Sequence, residues 1–249
     1  MCTAVLSIAP GLPTLIIGIR DELTDRAWQP PGRHWPEYPG LIGGLDLVAG
    51  GTWLAVAPAE RRVACVLNGR GVLAPAQSRR SRGALPLQAA AGRVADRAGL
   101  AGFDPFHLLT VQPARAVLQS WDGTKLTDRK LGPGLHFVVN SGLASDLTAS
   151  DTHERIAHFV PRFTAAARPA PVPGEPVADA WGTWLTLVNG DGLDTGDPAA
   201  LIVGRDLGDG RTWGTTSISL VAITPAYLRY DFTGAPGNPA AWHPVETGV

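Results

Sequence analysis

The chain has 249 residues, with 21 Lys and Arg against 22 Asp and Glu, a formal net charge of −1. That balance excludes a basic field able to hold a nucleic acid or an acidic membrane surface. Hydrophobic residues make up 45%, enough at this length to bury a core without disulfide or metal staples, and no apolar run approaches the roughly 18 residues of a membrane span.

Two short apolar runs open the chain, Ala4 to Ile8 and Leu15 to Ile19, with Ala9-Pro10-Gly11-Leu12-Pro13 between them. The composition of that connection predicts a turn, and the runs an antiparallel hairpin. A hairpin returns the end of its second strand to the start of its first, so Arg20 and Asp21 are expected beside Cys2. The opening residues carry no basic leader and meet Pro10-Gly11 before an export signal could form, which predicts a soluble, cytoplasmic protein.

Residues 24 to 51, rich in Pro, Gly and Trp, predict a long ordered loop. A second hairpin is expected over Thr52 to Ala57 and Arg62 to Leu67, turning at Pro58-Ala59-Glu60. The segment holding Arg79, Arg80 and Arg82 predicts a solvated loop. A helix should start near Pro86 and stop near Gly99. Strands follow at Phe106 to Val111, Ala116 to Trp121, Lys125 to Leu131 and Leu135 to Asn140. Helices are expected at Asp151 to Phe159 and Val177 to Val188, and strands at Ser217 to Ile223 and Tyr227 to Phe232. Regular strand–helix alternation is missing, which argues against a doubly wound parallel sheet and for an α+β chain. No internal repeat or convincing linker divides it, so a single domain over residues 1–249 is expected.

The two cysteines differ in kind. Cys65 lies inside the apolar run Val63 to Leu67 and predicts an inert strand residue. Cys2 has a side chain small enough for removal of Met1, which would leave a free α-amine on the residue that carries the thiol. With reference pKa values near 7.7–8.0 and 8.5, amine and thiol are matched for proton exchange, and one residue can supply both nucleophile and base. Arg20 would stabilise the thiolate and Asp21 would hold the terminus.

Met1-Cys2-Thr3-Ala4, Gly18-Ile19-Arg20-Asp21-Glu22, Gly50-Gly51-Thr52-Trp53 and Leu67-Asn68-Gly69-Arg70-Gly71 together resemble the NRDE family. That family includes the transport and Golgi organisation protein 2 group and is similar to the N-terminal-nucleophile (Ntn) hydrolases. Gly134 to Ser141 and Trp213 to Ser217 extend the resemblance. It implies a four-layer αββα sandwich of antiparallel sheets, with Cys2 at the mouth of a cleft between them. It further implies that Cys2 attacks an amide or thioester carbonyl, flanked by Arg20 and Asp21, with Asn68 and Asn140 as candidates for polarising the carbonyl. As turn-forming residues, both asparagines also fit purely structural roles. Two positions depart from the pattern: Ile19 stands where the family motif has Asn, and Thr216 stands in place of a late Arg, for which Arg211 or Arg229 could substitute. Glu22 is expected to pair with Arg20 or Arg26.

Two function classes remain open on the sequence. One is amide or thioester hydrolysis, or acyl transfer, through Cys2, which needs no cofactor. The other is a non-catalytic binding or trafficking protein for haem or for acyl-CoA and lipid, to which the resembled family has been connected. His34, His107, His136 and Cys2 itself are candidate haem ligands, with no spacing to select among them. Partners on either view are small amides, thioesters or apolar ligands. No metal site is expected: His153 and His158 are five apart and fall on different helix faces, and Asp191, Asp194 and Asp197 lack calcium-loop spacing.

Overall fold

The computed structural model describes residues 2–93, 97–147 and 154–248. The expected first hairpin forms from Thr3–Ile8 (β1) and Thr14–Leu23 (β2), with Thr3 opposite Ile19 and Ser7 opposite Leu15. Gly11, at φ 73°, takes the left-handed conformation in its turn. The chain then forms Trp28–Gly32 (β3), Ile42–Asp46 (β4), Leu54–Ala57 (β5) and Arg62–Asn68 (β6). Phe106–Gln112 (β7), Arg115–Trp121 (β8), Leu126–Leu131 (β9), Gly134–Val139 (β10) and Gly142–Leu143 (β11) follow. The last strands are Gly204–Asp206 (β12), Thr212–Ile223 (β13), Leu228–Thr233 (β14) and His243–Pro244 (β15). The α-helices are Ala84–Ala90 (α1), Glu154–Ala165 (α2), Val177–Trp181 (α3) and Thr183–Val188 (α4).

All strand pairs within the two sheets are antiparallel. One sheet runs β11-β10-β1-β2-β13-β14-β15, with β12 added on β13; the other is the sequential meander β3 to β9. Period-two alternation assigns each strand residue to one face. Ala4, Leu6 and Ile16 of the first sheet join Leu54, Val63 and Leu109 of the second in one apolar cluster, which packs the sheets together. Val5, Ile17 and Ile19 turn the other way, onto Phe159, Trp181 and Trp184 of α2, α3 and α4. The second sheet buries its other face, including Ala55, Ala64 and Leu108, against Leu85 and Leu87 of α1. Gly18 marks how closely the sheets approach: a Cβ there would lie 2.9 Å from Leu54 Cδ1.

Several expectations change. Residues 24 to 51 hold β3 and β4 instead of a loop without regular structure. Pro30 and Pro31 obscure β3 in the sequence, yet it is an edge strand with an irregular register between Gln29 and Gly32, where proline is tolerated. The helix expected from Pro86 to Gly99 ends at Ala90, and a separate 3-10 turn covers Arg97–Gly102. The segment Val177 to Val188 breaks at Gly182, whose φ of 48° cannot continue a right-handed helix. Of the helix expected at Asp151 to Phe159, residues 151–153 lie outside the described residues. The remainder runs on to Ala165 through Pro161, because Phe163 packs on Trp184 and Phe137 at centroid distances of 4.9 and 5.6 Å. Among the described residues no helix is long and apolar enough to cross a membrane.

Candidate functional site

The alternation that builds the core also divides the groups around Cys2. Thr3 and Asp21 fall on the helix-facing side of their sheet, with Val5 and Ile19; Cys2 and Arg20 fall on the side facing the second sheet, with Ala4 and Gly18. Cys2 is half-buried against the inter-sheet cluster, and its Sγ donates to the Asp21 carbonyl at 3.5 Å. Hairpin register thus places Arg20 and Asp21 beside Cys2, as the sequence predicts, but on opposite faces of the sheet.

Arg20 is almost fully buried and lies over Trp53, its guanidinium carbon 4.5 Å from the ring centroid. It donates to Thr216 Oγ1 at 2.8 Å. Thr216 can reach it because β13 bulges there: Thr215 is opposite Asp21 and Ser217 opposite Arg20, leaving Thr216 as the extra residue. Thr216, where the resemblance implied an Arg, therefore serves to hold Arg20. Glu22 and Asp46 stand 3.9 and 3.8 Å from Arg20, and Arg26 binds Asp46 at 2.8 Å while standing 3.8 Å from Glu22. Glu22 pairs loosely with both arginines, as expected.

Asp21 is held from below. Its Oδ1 accepts from Thr215 at 2.7 Å and its Oδ2 from Arg155 at 3.2 Å. Arg155, on α2, also donates to Thr3 Oγ1 at 2.9 Å and to the Ala200 carbonyl at 2.8 Å. Both charged side chains are buried. Sequence reasoning missed Arg155 because it is 134 residues from Asp21 and lies in no recognised motif. The substitutes it offered are placed elsewhere: Arg211 is exposed and pairs with Asp209, while Arg229 is buried on Asp231. Ile19 packs among the helices, 3% exposed, so the position where the resemblance implied Asn directs its side chain away from Cys2.

Cys2 opens into a cleft of about 400 Å³ whose lining includes Arg20, Glu22, Asp46, Asn68 and residues 79–83. The loop holding Arg79, Arg80 and Arg82 is solvated at Arg79 and Arg80, as expected, and also forms a wall of the cleft. Thr52 N donates to the Gly83 carbonyl at 3.0 Å, and a Cβ on Gly51 would lie 2.4 Å from the Gly83 carbonyl carbon. The close approach of two glycine backbones fixes that wall, and larger residues would prevent it.

Burial pushes the Cys2 thiol above its ordinary value and the Asp21 carboxylate adds to the shift; the hydrogen bond to the Asp21 backbone and the Arg20 charge oppose them with less weight. Arg20 favours the thiolate, as expected, but burial and the Asp21 charge outweigh it, so the net push is upward. Burial pushes the Cys65 thiol up to about 12, in keeping with an inert core residue.

Asn68 is exposed and lines the cleft. Asn140 does not line it. Because Thr3 is opposite Val139, the next residue, Asn140, follows alongside Cys2, and its buried Oδ1 has no hydrogen-bond partner among the described residues. His34 and His136 each bind a backbone carbonyl at 2.9 Å, and His107 Nδ1 is 2.8 Å from Ser120 Oγ. None of these three histidines lines the cleft. Among the described residues no group of His, Cys, Asp and Glu could hold a metal; His153 lies outside them. Asp191, in the loop of alternating Asp and Gly, instead binds His158 and Arg162 at 2.9 and 2.8 Å.

A sequence model of the Transport and Golgi organisation 2 family matches residues 1–168. The match covers more than half of the 249 residues, so the chain belongs to that family. No curated protein matches the chain.

Proposed function

We propose that this member of the Transport and Golgi organisation 2 family hydrolyses or transfers an acyl group, from an amide or thioester, through a covalent intermediate on Cys2. The observation that carries this reading is the position of Cys2, at the start of a central strand and open to a cleft of about 400 Å³ beside Arg20. Two facing antiparallel sheets, each with helices on its outer face, support the αββα Ntn-hydrolase sandwich as the scaffold. Fold alone assigns no reaction, so the weight rests on the site.

After removal of Met1, the Cys2 α-amine takes the thiol proton and Sγ bonds to the substrate carbonyl carbon. Collapse of the tetrahedral intermediate breaks the C–N or C–S bond, and the amine passes its proton to the leaving group. Water, deprotonated by the same amine, then attacks the thioester, breaks the Sγ–C bond and restores the thiol. Proton transfer within one residue suits a thiol whose pKa is raised, because the base is at hand when attack begins. Asp21, held by Arg155 and Thr215, anchors the strand ends and stabilises the ammonium form. Arg20 favours the thiolate as it forms, and Asn68 directs its amide at the developing oxyanion. Asn140, beside Cys2 but outside the cleft lining, contributes its free amide oxygen as an acceptor for the Cys2 amine.

The test is the intact mass before and after incubation with a mixed pool of acyl-CoA and N-acyl amides. Loss of Met1 and an acyl adduct on Cys2 that is absent in Cys2→Ala are expected. Retained Met1, or a free Cys2 that never acylates, would overturn the reading.

A second reading, a non-catalytic carrier of haem or of acyl-CoA and lipid in the same cleft, draws on the net upward push on the Cys2 thiol. Saturable binding of either ligand with no covalent product would favour it.

A further inference from the structure

The charges of the cleft do not cancel. Arg20, Arg26, Arg79, Arg80 and Arg82 line it, together with the acidic residues Asp21, Glu22, Asp46 and Asp104. Asp21 is taken from beneath the sheet by Arg155. Glu22 and Asp46 are shared between Arg20 and Arg26. Asp104 Oδ1 binds Arg79 Nε at 3.1 Å. Arg80 and Arg82 remain, with no carboxylate at ion-pair distance among the described residues.

Arg80 is exposed and Arg82 half-buried, and both are tied to the fold. Arg80 N donates to the Gly102 carbonyl at 2.7 Å, and its guanidinium stacks 4.6 Å from the centroid of Phe103. Arg82 is half-buried and donates from Nη1 to the Pro105 carbonyl at 2.9 Å. The Gly51–Gly83 contact fixes the end of the same segment. A guanidinium carries five donors in a planar fork, so these anchors leave donors on both residues for a ligand. Planar forks match carboxylate and phosphate oxygens in pairs, with charge-assisted bonds roughly twice as strong as neutral ones. Two anchored cations with no carboxylate at ion-pair distance among the described residues, in a cleft of ligand size, form a receptor for an anion.

We propose that Arg80 and Arg82 are an anion subsite, and that the molecule held beside Cys2 carries a carboxylate or phosphate group bound there. This deepens the acyl-transfer reading, on which it rests for taking Cys2 as the reactive end of the cleft: the substrate is an anionic amide or thioester.

The test compares alkylation of Cys2 by iodoacetate, which is anionic, and by neutral iodoacetamide, at one alkaline pH, with the adduct located by peptide mass spectrometry. The thiolate fraction enters both rates equally and cancels in their ratio. In Arg80→Gln/Arg82→Gln the iodoacetate-to-iodoacetamide ratio is expected to fall about fivefold or more at low salt, less at high salt where charges are screened, and Arg80→Lys/Arg82→Lys should keep most of it. Inorganic phosphate or succinate should protect wild-type Cys2 from iodoacetamide: protection by phosphate alone assigns a phosphate ligand, by succinate alone a carboxylate. An unchanged ratio in the glutamine variant, or no protection by either anion, overturns the proposal. Should the glutamine variant fail to fold, wild-type protection decides alone. The readout needs no turnover, so a Cys2 that never acylates leaves a positive result standing, and an unchanged ratio leaves acylation standing.

Discussion

Arg155→Met is expected to be among the most destabilising single changes near the site. Arg155 binds Asp21, Thr3 and the Ala200 carbonyl from a position that is 5% exposed, and Asp21 is 2% exposed. Methionine keeps much of the volume but removes the charge, stranding a carboxylate whose burial was compensated by the guanidinium. Breaking a buried pair by removing one partner costs about 3–5 kcal/mol. For a chain of this size that corresponds to roughly 6–20 °C in melting temperature. Adding Asp21→Asn removes the stranded charge, so the double variant should be more stable than Arg155→Met alone, with a coupling of about 1–3 kcal/mol in the cycle. Urea denaturation of the four proteins, with a common slope, measures each quantity. A loss below about 0.5 kcal/mol in Arg155→Met, or additive single effects, would refute the claim that this pair anchors the strand ends beneath Cys2.

Other expectations concern the thiols and the walls of the cleft. The pH midpoint for alkylation of Cys2 by iodoacetamide should lie above that of an ordinary thiol and rise further in Arg20→Gln, since the Arg20 charge opposes the shift; a midpoint at or below the ordinary value would contradict the burial account. For Cys65 the folded pKa of about 12 exceeds the ordinary thiol value of 9.0, so its contribution to stability is complete below about pH 9 and is lost as pH rises towards about 12. Urea midpoints over that range should therefore fall less steeply in Cys65→Ala. Gly51→Ala drives a Cβ to 2.4 Å from the Gly83 backbone, and the forced shift should cost about 1–3 kcal/mol; unaltered stability would show that the wall yields freely. Trp53→Ala removes the face on which Arg20 lies; because Trp53 is only partly buried, it should lower stability by about 1–3 kcal/mol, measured by the same denaturation.

Local pattern carried a large part of the fold. The hairpin around Ala9 to Pro13 was legible because two apolar runs flank a Pro/Gly turn, and its register follows from the length of that turn, which brings Thr3 opposite Ile19. The apolar run around Cys65 was legible in the same way. Strand β3 was not, because Pro30 and Pro31 are tolerated only at a sheet edge, and edge position is a property of the assembled sheet. Helix α2 passes Pro161 for a similar reason: the contacts that hold Phe163 come from other elements.

By itself the sequence determined that Cys2 leads into a strand, that Arg20 and Asp21 return beside it, and that the chain carries the Transport and Golgi organisation 2 pattern. Those are consequences of turns and period-two alternation, which act over a few residues. Tertiary structure alone decided that Asp21 is satisfied by Arg155, 134 residues away, and that Thr216 holds Arg20 from a bulge. It alone decided that Arg80 and Arg82 form a cleft wall, through a backbone contact between Gly51 and Gly83. Each of these joins groups far apart in the chain, whose meeting depends on how the sheets and helices stack, and no local spacing encodes that distance.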